Sequence, residues 1–124
     1  MEQILLHLFG DFITQNDWMA QNKKKPGWIG IWAAIAHAMV YSLPFLLVAS
    51  PLAVLLIFVQ HAWIDRTNLV VRFLCWRNKG DPKNFGFAAD RPFALTVWLC
   101  IIADNTFHLI LNYLTILICR RYGL

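Results

Sequence analysis

The chain has 124 residues, of which 59% are hydrophobic and 15% are charged. Soluble domains are about 45–50% apolar and about 25% charged, so this composition excludes an ordinary water-soluble globule. The net charge of +4 could suit nucleic acid, but the basic residues form short clusters beside apolar runs, where membrane topology requires them. The sequence therefore predicts a small integral membrane protein with the lipid bilayer, and no nucleic acid, as its partner.

The first predicted helix, about 2–22, is the most polar of four. His7, Asp11 and Gln15 recur at intervals of four residues and form one stripe, while apolar side chains cover the rest of the surface. This pattern is typical of a helix with lipid-facing sides and one polar side that faces a protein interior. We expect a fourth bundle helix that crosses the bilayer fully or in part.

The other three predicted helices are long and apolar enough to cross a hydrocarbon core of about 30 Å, which needs roughly 20 residues. The apolar block that starts at Trp28 is too long for one span and carries a turn signal around Ser50, so we predict a hairpin of two helices. With the run after Pro92, these helices cover about 28–49, 52–76 and 92–119. The predicted fold is an all-α integral membrane protein, a four-helix bundle in a single domain over 1–124.

Two basic segments, 23–27 and 77–91, lie on the same side of this four-helix arrangement. The positive-inside rule predicts that both are cytoplasmic and that the termini lie on the opposite side. Five tryptophans lie near the basic-loop ends of their helices, as in an interfacial aromatic belt: Trp18, Trp28, Trp32, Trp76 and Trp98.

All four histidines of the chain lie inside these helices, and three stand four residues from an aspartate: His7/Asp11, His61/Asp65 and Asp104/His108. That spacing places both side chains on one helix face. Counted along the antiparallel helices, these groups and His37 form one layer roughly 14–22 Å deep. Each ionisable group at that depth costs on the order of 3 kcal/mol, so they must converge on each other, on water or on a cation.

Imidazole and carboxylate groups on converging helices are the ligands that zinc, manganese and iron use. We predict a divalent-metal site for one or two ions, with zinc expected first. The candidate ligands are His7, Asp11, His37, His61, Asp65, Asp104 and His108. A carboxylate that is not bound would be the general base, with Asp65 and Asp104 as the candidates. The expected hydrogen-bonding neighbours of the ligands are Gln15, Asn105, Asn112 and Arg66.

Two other interpretations of the histidines stay open. In the first, a metal-free polar or proton-relay core forms, in which each aspartate orients a histidine and fixes helix register. In the second, the histidines form no common site, and each has its own hydrogen-bond partners. Arg66 points about 100° away from Asp65 on the helix, so it is expected to pair with another carboxylate or to reach toward the pocket.

The resemblance to a known family rests on four ordered blocks: HLFGDFITQNDWMAQNKKK, HAMVYSLPF, HAWIDR and ADNTFHLILN. Over essentially the whole chain they resemble small bacterial and phage membrane proteins grouped as domain of unknown function 3307, which implies the bacterial inner membrane. The His and Asp pairs are more loosely similar to the zinc-dependent phospholipase C and P1 nuclease group and to inner-membrane metal-dependent hydrolases. That similarity implies zinc-dependent phosphoester cleavage, with His61 and Asp65 as the best match.

The expected function is therefore a membrane metal-dependent hydrolase that acts on a phosphoester or lipid-like substrate. One alternative is a cation or proton transporter with a midplane polar site, which would need to oligomerise because the chain is so small. Another is a phage or host accessory protein that binds a second membrane protein. A homo-oligomer fits the first alternative best.

Overall fold

The computed structural model describes all 124 residues, and the chain is all-helical as predicted. A π-helical turn at Phe9–Thr14 continues the first α-helix, and 3-10 turns occupy Leu43–Leu47 and Pro82–Asn84. The six α-helices are α1 (Glu2–Leu8), α2 (Asp17–Asn22), α3 (Gly27–Ser42), α4 (Pro51–Thr67), α5 (Leu69–Asn78) and α6 (Phe93–Tyr122).

The predicted helix over 2–22 is not continuous. The π-helical turn ends at Thr14, and the backbone is extended at Gln15 and Asn16 before α2 begins. The Asn16 side chain accepts a hydrogen bond from the Met19 amide, and asparagine is among the best residues for starting a helix in this way. The prediction of one continuous helix was therefore wrong. The regular spacing of polar residues runs up to Gln15, but Asn16 starts a new helix.

The predicted helix over 52–76 begins as expected, with Ser50 accepting from the Ala53 amide and Pro51 in the first turn. It is broken at Asn68, which adopts a left-handed conformation with φ of 50°. Asparagine tolerates this conformation better than most residues. As a result, α4 and α5 meet at an angle of 58°.

Two segments are long and apolar enough to cross a membrane: Gly27–Leu47, with 21 residues, and Phe93–Tyr122, with 30. The bent pair of α4 and α5 could form a third span. The polar first segment is not among them, so the structure has fewer clear spans than the four-helix prediction. It nevertheless fits association with a membrane.

Five elements enclose one polar centre. Helices α3 and α4 form the predicted hairpin, α6 packs against α4 and α1, and the π-helical turn packs against α3. All four histidines are at most 1% exposed, whereas many leucine, isoleucine and tryptophan side chains lie on the outside. The polar side chains thus gather at one place in the interior, while many apolar side chains cover the outer surface.

Candidate metal centre

The structure brings the four histidines together, one from each of α1, α3, α4 and α6. The ring centre of His61 lies 4.9 Å from that of His37 and 4.2 Å from that of His108. The ring centre of His7 lies 6.1 Å from that of His108. The antiparallel helices thus place at one level residues that are up to 101 positions apart in the sequence (108 − 7).

Asp11, His37 and His61 form the first group of donor atoms. The Nε2 atoms of His37 and His61 are 3.0 Å apart, and Asp11 Oδ1 lies 3.4 Å and 3.6 Å from them. A point equidistant from the three atoms lies about 2 Å from each, which is the usual Zn–N and Zn–O bond length. Asp11 lies in the π-helical turn, a local irregularity that is frequent at functional sites.

His61, Asp65 and His108 form the second group, so His61 belongs to both. Asp65 Oδ2 lies 3.6 Å from His61 Nε2 and 3.5 Å from His37 Nε2. The other carboxylate oxygen, Asp65 Oδ1, lies 3.7 Å from His108 Nε2. The two oxygens of Asp65 therefore face different histidines, Oδ2 those of α3 and α4 and Oδ1 that of α6.

Asp104 extends the second group toward the outside. Its Oδ2 lies 3.7 Å from His108 Nε2, and its side chain is 36% exposed, against 4% for Asp65. Asp104 does not belong to either three-residue group. It is the predicted site carboxylate with the most access to solvent or to a bound molecule.

Several buried atoms of the centre have no hydrogen-bond partner. Both ring nitrogens of His108 lack one, as do the Nδ1 atoms of His37 and His61. Buried polar atoms are normally hydrogen-bonded. Unused bonding capacity on His108 Nε2, which faces the carboxylates of Asp65 and Asp104, is what a cation-binding site requires.

His7 is held differently from the other histidines. Asn112 donates to the Tyr41 hydroxyl oxygen at 2.6 Å, so the hydroxyl hydrogen can donate to His7 Nδ1, also at 2.6 Å. His7 Nε2 then donates to Asn105 Oδ1 at 2.8 Å. Both ring nitrogens are therefore engaged, and although Nδ1 lies 3.5 Å from Asp11, His7 has no free lone pair for an ion.

Tyr41 is a central residue that sequence reasoning missed. It is fully buried, stacks on the His61 ring with centres 3.7 Å apart, and joins His7 to Asn112. An aromatic residue in an apolar helix is ordinarily interpreted as core. The available signal was its position one turn after His37 on the same helix face.

Lys23 also reaches into the centre. Its Nζ lies 2.8 Å from Asp65 Oδ2 and donates to Gln15 Oε1 at 2.8 Å. In the sequence the lysine cluster indicates membrane topology, so this contact was not predicted. Gln15, an expected neighbour of the metal ligands, contacts the lysine instead.

Arg66 anchors the loop that carries Lys23. Its Nη1 donates to the backbone carbonyls of Lys23 and Lys25, at 3.1 Å and 2.7 Å. It therefore contacts backbone oxygens and not the carboxylate that the sequence suggested. By holding the loop, Arg66 positions the lysine beside Asp65.

Gly30 makes this anchoring possible, because a Cβ there would overlap the Lys25 carbonyl and crowd the Arg66 guanidinium. We expect Gly30→Ala to destabilise the protein by about 1–3 kcal/mol, the usual cost of overpacking. The unfolding midpoint in detergent measures the effect. Ile29→Ala, at a neighbouring side chain that is 60% exposed, serves as the control, and equal midpoints for the two variants would contradict the account.

An open cavity of about 310 Å³ adjoins the centre. Asp11, Asp104 and Asn105 form part of its wall, and Lys23 and Lys24 line it from the loop. A molecule in this cavity would therefore meet two carboxylates of the centre.

Comparison with known protein families supports the resemblance that the four sequence blocks indicated. The family model described as "Protein of unknown function (DUF3307)" matches residues 1–120. No curated protein and no solved structure matches the chain, so the looser similarity to zinc hydrolases stays a prediction. The chain belongs to the DUF3307 family of proteins of unknown function.

Proposed function

We propose that the protein is a membrane-embedded metal-binding hydrolase, with one or two divalent ions, zinc first, and a phosphoester or lipid-like substrate. The observation that carries this proposal is the pair of donor groups that share His61 beside an open cavity. The donors are imidazole and carboxylate, the ligand types of catalytic zinc.

The charges of the centre support a cation. Three carboxylates face it, those of Asp11, Asp65 and Asp104, and the Lys23 ammonium contacts Asp65. With neutral imidazoles, three negative charges against one positive charge leave two negative charges. A single divalent ion would neutralise this excess, and buried charges without compensation are costly.

From these distances we propose two positions for the donors. Asp11, His37 and His61 would hold the first ion, with Asp65 Oδ2 as the fourth donor. His108, Asp65 Oδ1 and Asp104 would hold a second ion. His7 would act through hydrogen bonds, because Tyr41 and Asn105 occupy both of its nitrogens.

A divalent ion held here would lower the pKa of a bound water and polarise a phosphoryl oxygen. With only the first position occupied, Asp104 is not a ligand; it is partly exposed, lines the cavity, and would accept the proton of the attacking water. The water oxygen would bond to phosphorus as the bond between phosphorus and the ester oxygen breaks, and the leaving oxygen would take the proton from Asp104. The products are an alcohol and a phosphate.

The test is hydrolysis by protein purified in detergent and loaded with zinc, manganese or iron, with bis-p-nitrophenyl phosphate and short-chain phospholipids as substrates. We expect Asp104→Asn to lower the rate by about 100-fold or more while at least one ion stays bound. Asp90→Asn, in the exposed basic loop, is the matched control. An inactive metal-loaded parent, or an Asp104→Asn variant with the parent rate, would contradict the proposal.

The contact between Lys23 and Asp65 favours a second candidate, a cation or proton carrier. A partly buried ammonium on a buried carboxylate resembles a pathway in which a cation exchanges with a lysine. Ion or proton flux in liposomes, with no hydrolysis by the metal-loaded protein, would favour that candidate. Flux that persists in Asp65→Asn would exclude it.

A further inference from the structure

We infer that the cavity beside the metal centre binds an anionic phospholipid, with its phosphate near Lys23 and Lys24 and its acyl chain along the apolar wall. This inference rests on the proposed function, since it names the substrate class of the same centre.

The wall is amphipathic. Eight of its 15 residues are hydrophobic, among them Val70 of α5 and Val97 and Ile101 of α6. The volume of about 310 Å³ lies at the lower end of the range of small-molecule sites, so it suits a head group and the first part of a chain. The open side leaves the rest of the chain outside the protein.

The wall of the cavity also carries the donors that a phosphate needs. Lys23 and Lys24 line it together with Gln15 and Asn68. Lysine binds phosphate as a concentrated charge, and amide side chains add hydrogen bonds. Because Arg66 holds the loop through backbone carbonyls, the lysine side chains are presented on a fixed backbone.

The lipid and the metal are expected to bind cooperatively. Without an ion, Asp11 and Asp104 also face the cavity and would repel a phosphate, and Lys23 is engaged by Asp65. An ion neutralises the carboxylates and competes with the lysine for Asp65, which frees the ammonium for the phosphate. By linkage, the phospholipid must then tighten metal binding by the same factor.

The position of the cavity favours a membrane lipid over a soluble phosphate. Its wall combines the basic loop after α2 with Phe85 of the second basic loop. Trp28, Trp76 and Trp98 are 76%, 76% and 65% exposed near these loops, where an aromatic belt would meet the head groups. Inorganic phosphate would leave the apolar wall unused.

The experiment titrates the zinc-loaded protein, free of any metal-binding tag and in neutral detergent, with dioctanoyl phosphatidic acid. We expect saturable binding, weakened about tenfold in Lys24→Gln and unchanged in Lys79→Gln, an exposed lysine outside the cavity. Val97→Trp should block the apolar wall, whereas Ile110→Trp, on an exposed face of the same helix, should bind as the parent does.

Two comparison ligands make the result decisive. Dioctanoylglycerol lacks the phosphate and inorganic phosphate lacks the chain, and both should bind at least tenfold more weakly. Equal binding of either ligand, or parent-like binding by Lys24→Gln and Val97→Trp, would overturn the inference. Zinc content measured on the same samples separates the two claims: zinc without lipid binding overturns this inference alone, and a parent without zinc overturns the proposed function as well.

Discussion

Replacing His61 with glutamine is expected to abolish metal binding, because His61 belongs to both donor groups. Loss of a hydrogen-bonding neighbour of a ligand already costs 10–100-fold in metal affinity. We therefore expect a loss of more than about 100-fold for the shared ligand. Competition for zinc with a chromophoric chelator measures the affinity, and metal analysis of the purified protein measures occupancy.

His7→Gln is the matched control for this variant. Both histidines are fully buried, but the two nitrogens of His7 are engaged by Tyr41 and Asn105. We expect His7→Gln to retain zinc within about tenfold of the parent affinity, the milder end of the range for a neighbour of the ligands. Equal zinc loss in both variants, or zinc retained by His61→Gln, would show that the donor groups are assigned wrongly.

Replacing Lys23 with methionine is expected to have two opposite effects. Without metal, Asp65 is left buried with no cationic partner, and removal of one member of a buried ion pair costs about 3–5 kcal/mol. With zinc, the ammonium no longer competes for Asp65 Oδ2, so metal affinity rises. Unfolding midpoints in detergent, with chelator and with zinc, show both effects.

Lys25→Met removes a neighbouring exposed lysine and should change the unfolding midpoint little in either condition. If Lys23→Met unfolds at the same temperature as Lys25→Met in chelator, the ion pair does not stabilise the metal-free protein. If zinc binds Lys23→Met more weakly than the parent, the lysine assists the metal and does not compete with it.

The convergence of the polar residues could be anticipated because two kinds of information agree. The spacing of four residues fixes a helix face, and depth in apolar segments makes an isolated charge costly. Together they point to contacts such as those of His61 with Asp65 and with Asp11. The all-helical fold follows from the same apolar segments and is confirmed.

The local breaks were harder to foresee, since each depends on a single asparagine. Asn16 ends the polar stripe by capping α2, and Asn68 bends the third predicted helix by adopting a left-handed conformation. Asparagine also occurs within helices, as Asn105 and Asn112 do in α6. Composition does not distinguish these uses, because tertiary packing decides which one is adopted.

The choice of partners depends on three-dimensional contacts that periodicity does not encode. Lys23 lies 42 positions from Asp65 (65 − 23) and Tyr41 lies 71 positions from Asn112, yet each pair is in contact. A lysine near a helix end can mark the cytoplasmic side of a membrane protein, and it can also form an internal ion pair, as Lys23 does. Only the loop geometry that Arg66 fixes separates the two roles.

The most direct measurement of the central claim is metal analysis combined with zinc-edge X-ray absorption, on protein purified without a metal-binding tag and equilibrated with zinc. The account predicts at least one ion per chain, with nitrogen and oxygen neighbours at about 2.0–2.2 Å, imidazole scattering, and no sulfur at about 2.3 Å. The chain has three free cysteines, Cys75, Cys100 and Cys119. Less than a tenth of an ion per chain after equilibration, or a sulfur shell from any of these cysteines, would contradict the proposed site.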